Sequence, residues 1–276
     1  MIRTLYAKLI TLFATVYYGS RVIVAQRLGD RYGRGTILDV APHRWARMIA
    51  RAARMQVVTH GADAIDLAEP HVFVVNHVSI MDIPAVLHAV PDSGFVAKHE
   101  LSTVPLFGAA ANAVGVVFID RENRKLAFAA YEDAADTVRR GRSVIVFPEG
   151  TRGNDYTLRP FKKGPFVLAI RSGVPIIPVI IHGTIEVTPN GTLDVTPGVV
   201  NVHLLAPIVT AGLGYADRNP LADRVHASMS DAMHRLYGVA RPVSHAAPVR
   251  SPLPADSGAR RRTDSPPDAT ASHSFT

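Results

Sequence analysis

The chain has 276 residues, no cysteine, 47% apolar residues and a formal net charge of +7. That length supports a hydrophobic core without disulfide or metal staples. The missing thiols exclude thiol catalysis, Cys-ligated zinc, iron–sulfur clusters, prenylation and palmitoylation.

The charge is concentrated at the N-terminus. Residues 1–54 hold ten basic and two acidic residues, while the rest of the chain is close to neutral. Such an attachment surface suits nucleic acid or anionic lipid. The uncharged run Leu9–Ser20, between Lys8 and Arg21, falls short of the ~20 apolar residues of a spanning helix. With Tyr6, Tyr17 and Tyr18 it predicts a helix lying in or dipping into a membrane interface. A signal peptide is the rival reading, but no clean small-x-small cleavage site follows.

A second helix is expected after Pro42. Arg44, Arg47, Arg51 and Arg54 form one stripe of it, and Trp45, Met48, Ile49, Ala52 and Met55 form the next. A basic amphipathic helix with a Trp reads as a membrane-surface element. The alternative is a core-packing helix with a solvated Arg face. No zinc spacing, heptad or aromatic-rich strand motif accompanies the arginines, so nucleic acid is not an expected partner.

Residues 56–240 alternate short β-branched runs with helical stretches. Strands are expected at 56–60, 71–75, 94–97, 115–119, 143–147, 176–181 and 199–205. Helices are expected near 82–90, 102–112, 123–140, 162–172 and 218–237. This alternation predicts an α/β domain with a central sheet covered on both faces. Gly141 falls where the helix 123–140 needs a C-cap. Residues 241–276 hold six Pro and six Ser and little bulky apolar surface. They cannot bury enough to offset chain entropy and are expected to be disordered. The run Arg260–Arg262 in that tail reads as solvated charge.

Absent motifs narrow the chemistry. There is no Gly-x-Ser-x-Gly elbow and no phosphate-binding Gly-x-x-x-x-Gly-Lys-Ser/Thr loop. Gly212-Leu-Gly214 lacks a third glycine. The twelve histidines show no metal-ligand spacing.

Four blocks fall at expected strand ends, where ligand sites form in open α/β sheets. The first is Asn76-His77-Val78-Ser79-Ile80-Met81-Asp82. On a regular helix His77 and Asp82 would be separated by about 140° of rotation, so they would not share a face. Pro84 also resists a helix already under way. The pair is therefore expected in a turn at a helix start. There a carboxylate that accepts one ring N–H leaves the other nitrogen as a base; a structural His beside an Asp is the plainer alternative. The second block is Gly115-Val116-Val117-Phe118-Ile119-Asp120-Arg121, by itself an ordinary strand ending in an ion pair. The third is Phe147-Pro148-Glu149-Gly150-Thr151-Arg152, a tight glycine turn bearing a guanidinium fork that matches phosphate. The fourth, Gly173-Val174-Pro175-Ile176-Ile177-Pro178-Val179, reads as a buried strand with prolines where a strand begins or lies at an edge.

In this order the blocks resemble the glycerolipid acyltransferases of the 1-acylglycerol-3-phosphate acyltransferase (lysophosphatidic acid acyltransferase) family. Phe95–Lys98 with Glu100-Leu101, and Pro160–Gly164, resemble that family's connecting stretches. The resemblance implies an α/β fold with a central mixed, largely parallel sheet flanked by helices. Three segments are expected: a membrane-attachment segment 1–55, an acyltransferase domain 56–240 and the tail 241–276. It implies acyl transfer from acyl-CoA or acyl carrier protein to the sn-2 hydroxyl of 1-acylglycerol 3-phosphate. His77 would be the general base oriented by Asp82. Arg152, with Lys98 and the Gly150–Thr151 backbone, would hold the phosphate, and Glu149 and Arg121 would shape the acceptor site. No metal, cofactor or acyl-enzyme is expected. The expected partners are an anionic membrane surface, acyl-CoA or acyl carrier protein, and a lysophospholipid, at the cytoplasmic face of the plasma membrane. Acylation of another lyso-lipid or a glycolipid, and a non-catalytic lipid-binding module, are the alternatives.

Overall fold

The structure, a computed structural model, describes residues 2–120 and 124–241. Arg121, and the tail from 242 with its Arg260–Arg262 run, lie outside the described residues. The helices are α1 (Ile2–Arg27), α2 (Ile37–Ala53), α3 (Asp82–Ala89), α4 (Phe107–Ala113), α5 (Arg124–Arg139), α6 (Gly164–Ser172), α7 (Thr184–Val187) and α8 (Arg218–Tyr237). The strands are β1 (Met55–His60), β2 (Val72–Val75), β3 (Ser93–Lys98), β4 (Val117–Ile119), β5 (Ser143–Val146), β6 (Ile176–His182) and β7 (Gly198–Leu204).

The seven strands form one sheet in the order β1-β7-β6-β2-β5-β3-β4. From β6 to β4 all pairings are parallel, and β7 runs antiparallel to β6 and parallel to β1. The sheet is mixed and largely parallel, as the family resemblance implies, and helices cover both of its faces, as the strand–helix alternation predicts.

The buried strands read as unbroken apolar runs because both sheet faces are covered. Phe73, Val75, Ile145, Ile177, Val179 and Ile181 face one core, shared with α2 and α3. Val72, Val74, Val144, Val146, Ile176 and Ile180 face the other, shared with α5, α6 and α8. Alternate residues of one strand thus enter opposite cores, as the period of two dictates.

Three local expectations are corrected. The second helix begins at Ile37, with Pro42 inside it. Asp39 favours the earlier start: it lies in the first turn, where a carboxylate suits the helix N-terminus, and its Oδ2 accepts the Gly35 N–H at 2.8 Å. Pro42 removes a single helical donor. The helix expected over 102–112 is split into a 3-10 turn at His99–Thr103 and α4. Pro105 disfavours helical backbone at Val104, and Leu106 takes a positive φ of 62°. Pro178 stands third in β6, a central strand rather than an edge. It is tolerated because pairing with β7 starts at Val179, while the Pro178 carbonyl accepts the Leu205 N–H at 2.9 Å.

Helix α1 is longer than its uncharged middle suggests. It runs 26 residues, about 39 Å. It is the one helix among the described residues long and apolar enough to cross a membrane, by length and composition only. Its packing is inverted for a helix in water. Ala7, Ala14, Val22 and Ala25 are buried, whereas Leu5, Leu9, Leu12, Phe13 and Val16 are exposed. The α1–α2 connection is tied to the sheet layer: Tyr32 Oη donates to Asp92 at 2.6 Å, and the buried Arg142 guanidinium lies 3.7 Å above the Tyr32 ring.

Candidate active site

The parallel strands β6, β2, β5 and β3 carry their C-terminal ends to one edge, and the blocks meet there. Strand β2 leads directly into Asn76 and His77. Asn76 is buried and acts like one more rung of the ladder: its Oδ1 accepts from Ile181 N at 2.7 Å and its Nδ2 donates to Ile181 O at 3.0 Å. This holds the start of the turn against β6.

Asp82 is the first residue of α3 and is fully buried. His77 Nδ1 lies 2.8 Å from Asp82 Oδ2. The same oxygen accepts the Val78 and Ser79 N–H groups at 2.7 and 2.8 Å. The carboxylate therefore closes the turn that carries the imidazole. The other oxygen, Oδ1, accepts the Thr184 hydroxyl at 2.6 Å. A carboxylate acting only as acceptor requires the proton on Nδ1, so Nε2 keeps its lone pair. The imidazole stacks on Phe147 with centroids 4.0 Å apart, and its side chain is 16% exposed. The ring is fixed at one edge and one face and reachable from solvent.

The turn after β5 is laced to the His77 backbone on both sides. Glu149 Oε1 accepts the His77 N–H at 2.9 Å, and Gly153 N donates to His77 O at 2.8 Å. Glu149 Oε2 also accepts the Arg159 N–H at 3.2 Å. Between these anchors Gly150 takes a positive φ of 78°, which a side chain would strain. Thr151 and Arg152 are exposed there, and among the described residues no carboxylate pairs with Arg152. Lys98 ends β3, the strand next to β5, and is also exposed. Geometry thus gathers His77, Asp82, Glu149, Gly150, Thr151, Arg152 and Lys98 along one edge. Among the described residues no three His, Asp or Glu side chains are grouped as a metal would require.

Comparison with known proteins adds independent findings. A family model described as Acyltransferase matches residues 56–182. The human protein named 1-acyl-sn-glycerol-3-phosphate acyltransferase alpha is 34% identical over 177 residues, 63% of this chain and 62% of its own. The human beta protein of the same name is 36% identical over 164 residues, 59% of each chain. The crystal structure of the 1-acyl-sn-glycerophosphate acyltransferase PlsC from Thermotoga maritima matches with a TM-score of 0.72 and 28% identity, covering 87% of this chain and 97% of that one. Residues 56–182 thus form an Acyltransferase-family domain. The chain spans about three fifths of the length of the curated human relatives that it matches.

The candidate site also uses residues to which the sequence blocks assign no role. Phe147 packs on the His77 imidazole, Asn76 and Gly153 hold the backbone around it, and Thr184 engages the carboxylate 102 positions away. The sequence signal for Thr184 is the short run His182-Gly183-Thr184, just past the fourth block. An apolar cavity of about 140 Å³ lies on the far side of Phe147's neighbour Phe95. Phe95, 6.3 Å from the Phe147 ring, lines that cavity with Trp45, Leu87, Phe107 and Val114.

Glu149 has an electrostatic signature. Burial pushes its carboxyl up from 4.5 to about 7, against the opposing effect of the two N–H donors and Arg159. The folded chain therefore holds this proton more tightly than the unfolded chain. Its contribution to stability is fully present below about pH 4.5 and is lost as pH rises through about 7. Glu149→Gln should abolish that loss. The wild-type Tm, measured against the variant's, should decline between about pH 5 and 8; a difference constant with pH would show that Glu149 does not titrate there.

Proposed function

We propose that this protein transfers an acyl chain from a thioester, acyl-CoA or acyl carrier protein, to the sn-2 hydroxyl of 1-acylglycerol 3-phosphate. The carrying observation is the buried carboxylate held against His77 Nδ1, which leaves Nε2 of a partly exposed ring as a base at the edge bearing Arg152. In this reading His77 Nε2 takes the hydroxyl proton as the oxygen attacks the thioester carbonyl. Asp82 stabilises the resulting imidazolium. The tetrahedral intermediate collapses with breakage of the C–S bond, and the proton passes from His77 to the departing thiolate. A positioned base of this kind is worth about 10²–10⁴-fold in rate. No hydroxyl or thiol nucleophile is hydrogen-bonded to His77 among the described residues, which favours direct transfer over an acyl-enzyme.

Arg152, Lys98 and the Gly150–Thr151 backbone are assigned to the acceptor phosphate, with Arg121 as a further contributor. Glu149 acts in this scheme by holding the turn. Replacing Arg152 by Lys removes the bidentate fork while keeping the charge. It should raise the acceptor KM by about tenfold, the scale of one charge-assisted hydrogen bond. Wild-type steady-state kinetics would remove Arg152 from the phosphate site. The apolar cavity beyond Phe147 suits the donor's acyl chain.

The inverted packing of α1 and the arginine stripe of α2 support attachment to an anionic membrane surface. Residues 1–55 then form the attachment segment, placing the site at the cytoplasmic face, where acyl-CoA and anionic lipid meet. The test uses purified protein, anionic vesicles, acyl-CoAs of graded length and a panel of acceptors: lysophosphatidate, glycerol 3-phosphate, neutral lyso-lipids and glycolipids. Thiol release dependent on lysophosphatidate is expected. Release with another acceptor alone would move the substrate assignment, and vesicle binding without release from any acceptor would refute acyl transfer.

A further inference from the structure

We infer that Thr184 is a positioning residue for this chemistry, the group that keeps the Asp82 carboxylate aimed at His77. The inference rests on the acyl-transfer reading above for its kinetic consequences, but not for its geometric ones. Thr184 is fully buried at the start of α7, and its hydroxyl donates to Asp82 Oδ1 at 2.6 Å. The two carboxylate oxygens are unequally held. Oδ2 accepts three donors, from His77, Val78 and Ser79. Among the described residues, Oδ1 has Thr184 as its one hydrogen-bond partner. Rotation about the Asp82 Cβ–Cγ bond would carry Oδ2 away from the imidazole, and the Thr184 hydroxyl opposes that rotation from the far side.

The surroundings of Thr184 are built to fix it. Gly183 takes φ of 104°, and a side chain there would come within 2.2 Å of the Val199 carbonyl oxygen, so the chain can turn sharply out of β6. The Gly183 and Ile185 N–H groups donate to Tyr156 Oη at 2.7 and 3.3 Å, and that hydroxyl donates to Glu186 at 2.6 Å. Tyr156 belongs to the segment after β5, so the loop bearing Arg152 also clamps the helix bearing Thr184. Ser79, inside the His77–Asp82 turn, donates to Thr188 O at 2.6 Å, at the other end of α7. Helix α7 is thus held at both ends with its first hydroxyl directed at the carboxylate.

The titratable groups that meet His77 are Asp82 at the ring and Glu149 at its backbone N–H; Phe147 covers a face. Losing the Thr184 bond therefore acts on the imidazole through Asp82. A rotated carboxylate stabilises the imidazolium less, so both the base strength and the orientation of His77 suffer. Thr184→Val keeps the volume and removes the donor. It should lower kcat by about tenfold or more, the range for a lost bond to a charged group. The acceptor KM should change less than twofold, and the acid limb of kcat/KM should move to lower pH. Thr184→Ser should restore kcat to within threefold.

The test that does not depend on turnover is an NMR titration of His77 in the full chain without substrate. The His77 pKa should fall in Thr184→Val and return in Thr184→Ser. An unchanged His77 pKa in a folded Thr184→Val chain, or a loss confined to Tm with kcat per folded molecule intact, would overturn the inference. If the wild type transfers no acyl group yet its His77 pKa falls on substitution, the acyl-transfer reading fails and the positioning role stands. Should Thr184→Val not fold, Thr184→Cys replaces it. Its thiol is a weaker donor of similar bulk, and a His77 pKa matching that of Thr184→Ser would count against the role.

Discussion

Replacing His77 by alanine is expected to lower acyl transfer by about 10³-fold or more, at the upper part of the range for a positioned general base. The effect should fall on kcat with little change in the KM for either substrate, because the imidazole contributes to proton movement rather than to binding. The fold should survive. His77 is held chiefly through its backbone, by Glu149 and by Gly153, and these bonds do not depend on the side chain. The imidazole packs on Phe147 at a partly exposed edge, so its removal leaves an open notch and no closed core cavity. The measurement is thiol release at saturating substrates, alongside circular dichroism and Tm. Turnover within tenfold of wild type would sink the assignment of His77 as the base.

Asp82→Asn should cost about 10²–10³-fold in kcat without unfolding the chain, through loss of charge at an unchanged shape. The hydrogen-bond pattern dictates how the amide sits. Its oxygen must occupy the Oδ2 position, where the Val78 and Ser79 N–H groups and His77 Nδ1 all donate. Its NH₂ then faces the Thr184 oxygen, whose hydroxyl turns to become the acceptor. The flipped amide would set NH₂ against two backbone N–H groups and is disfavoured. The turn and the His77 tautomer are therefore kept, while the negative charge that stabilises the imidazolium is lost. The acid limb of the pH–rate profile should shift to lower pH with the drop in kcat. A variant that retains full turnover, or one that loses activity only by unfolding, would refute an electrostatic role for Asp82.

Both predictions concern a site that was readable in outline before any coordinates. The spacing of His77 and Asp82, with Pro84 behind them, excludes a shared helix face and requires a turn at a helix start. Asp82 does open α3, and its side chain closes that turn. Such information is local: six adjacent residues and the rigid preferences of proline decide it. Long-range pairings lack any such signature. Asn76 bonds Ile181, Ser79 bonds Thr188 and Thr184 bonds Asp82, each across more than a hundred positions. Nothing in the periodicity of either segment says that β6 will lie beside β2.

The N-terminal helices show the same division. The arginine stripe of α2 and the apolar run of α1 follow from spacing alone. Which face of α1 turns inward does not. The alanines pack against neighbouring helices while the leucines, Phe13 and Val16 face out, and this requires α2 and α4 in place. The helix boundaries near Pro42 and Pro105 were likewise settled by context. The Asp39 carboxylate in the first turn favours an earlier start in one, and the positive φ of Leu106 divides the other.

Local periodicity and contiguous residue types carry the fold class, the order of the strands, most of the helices, and the four blocks with the family they mark. Which groups hold the Asp82 carboxylate, what brackets the His77 backbone and which residues line the apolar cavity emerge only once the chain is folded. Those depend on strand order, and strand order follows from the summed packing of two cores rather than from any one segment.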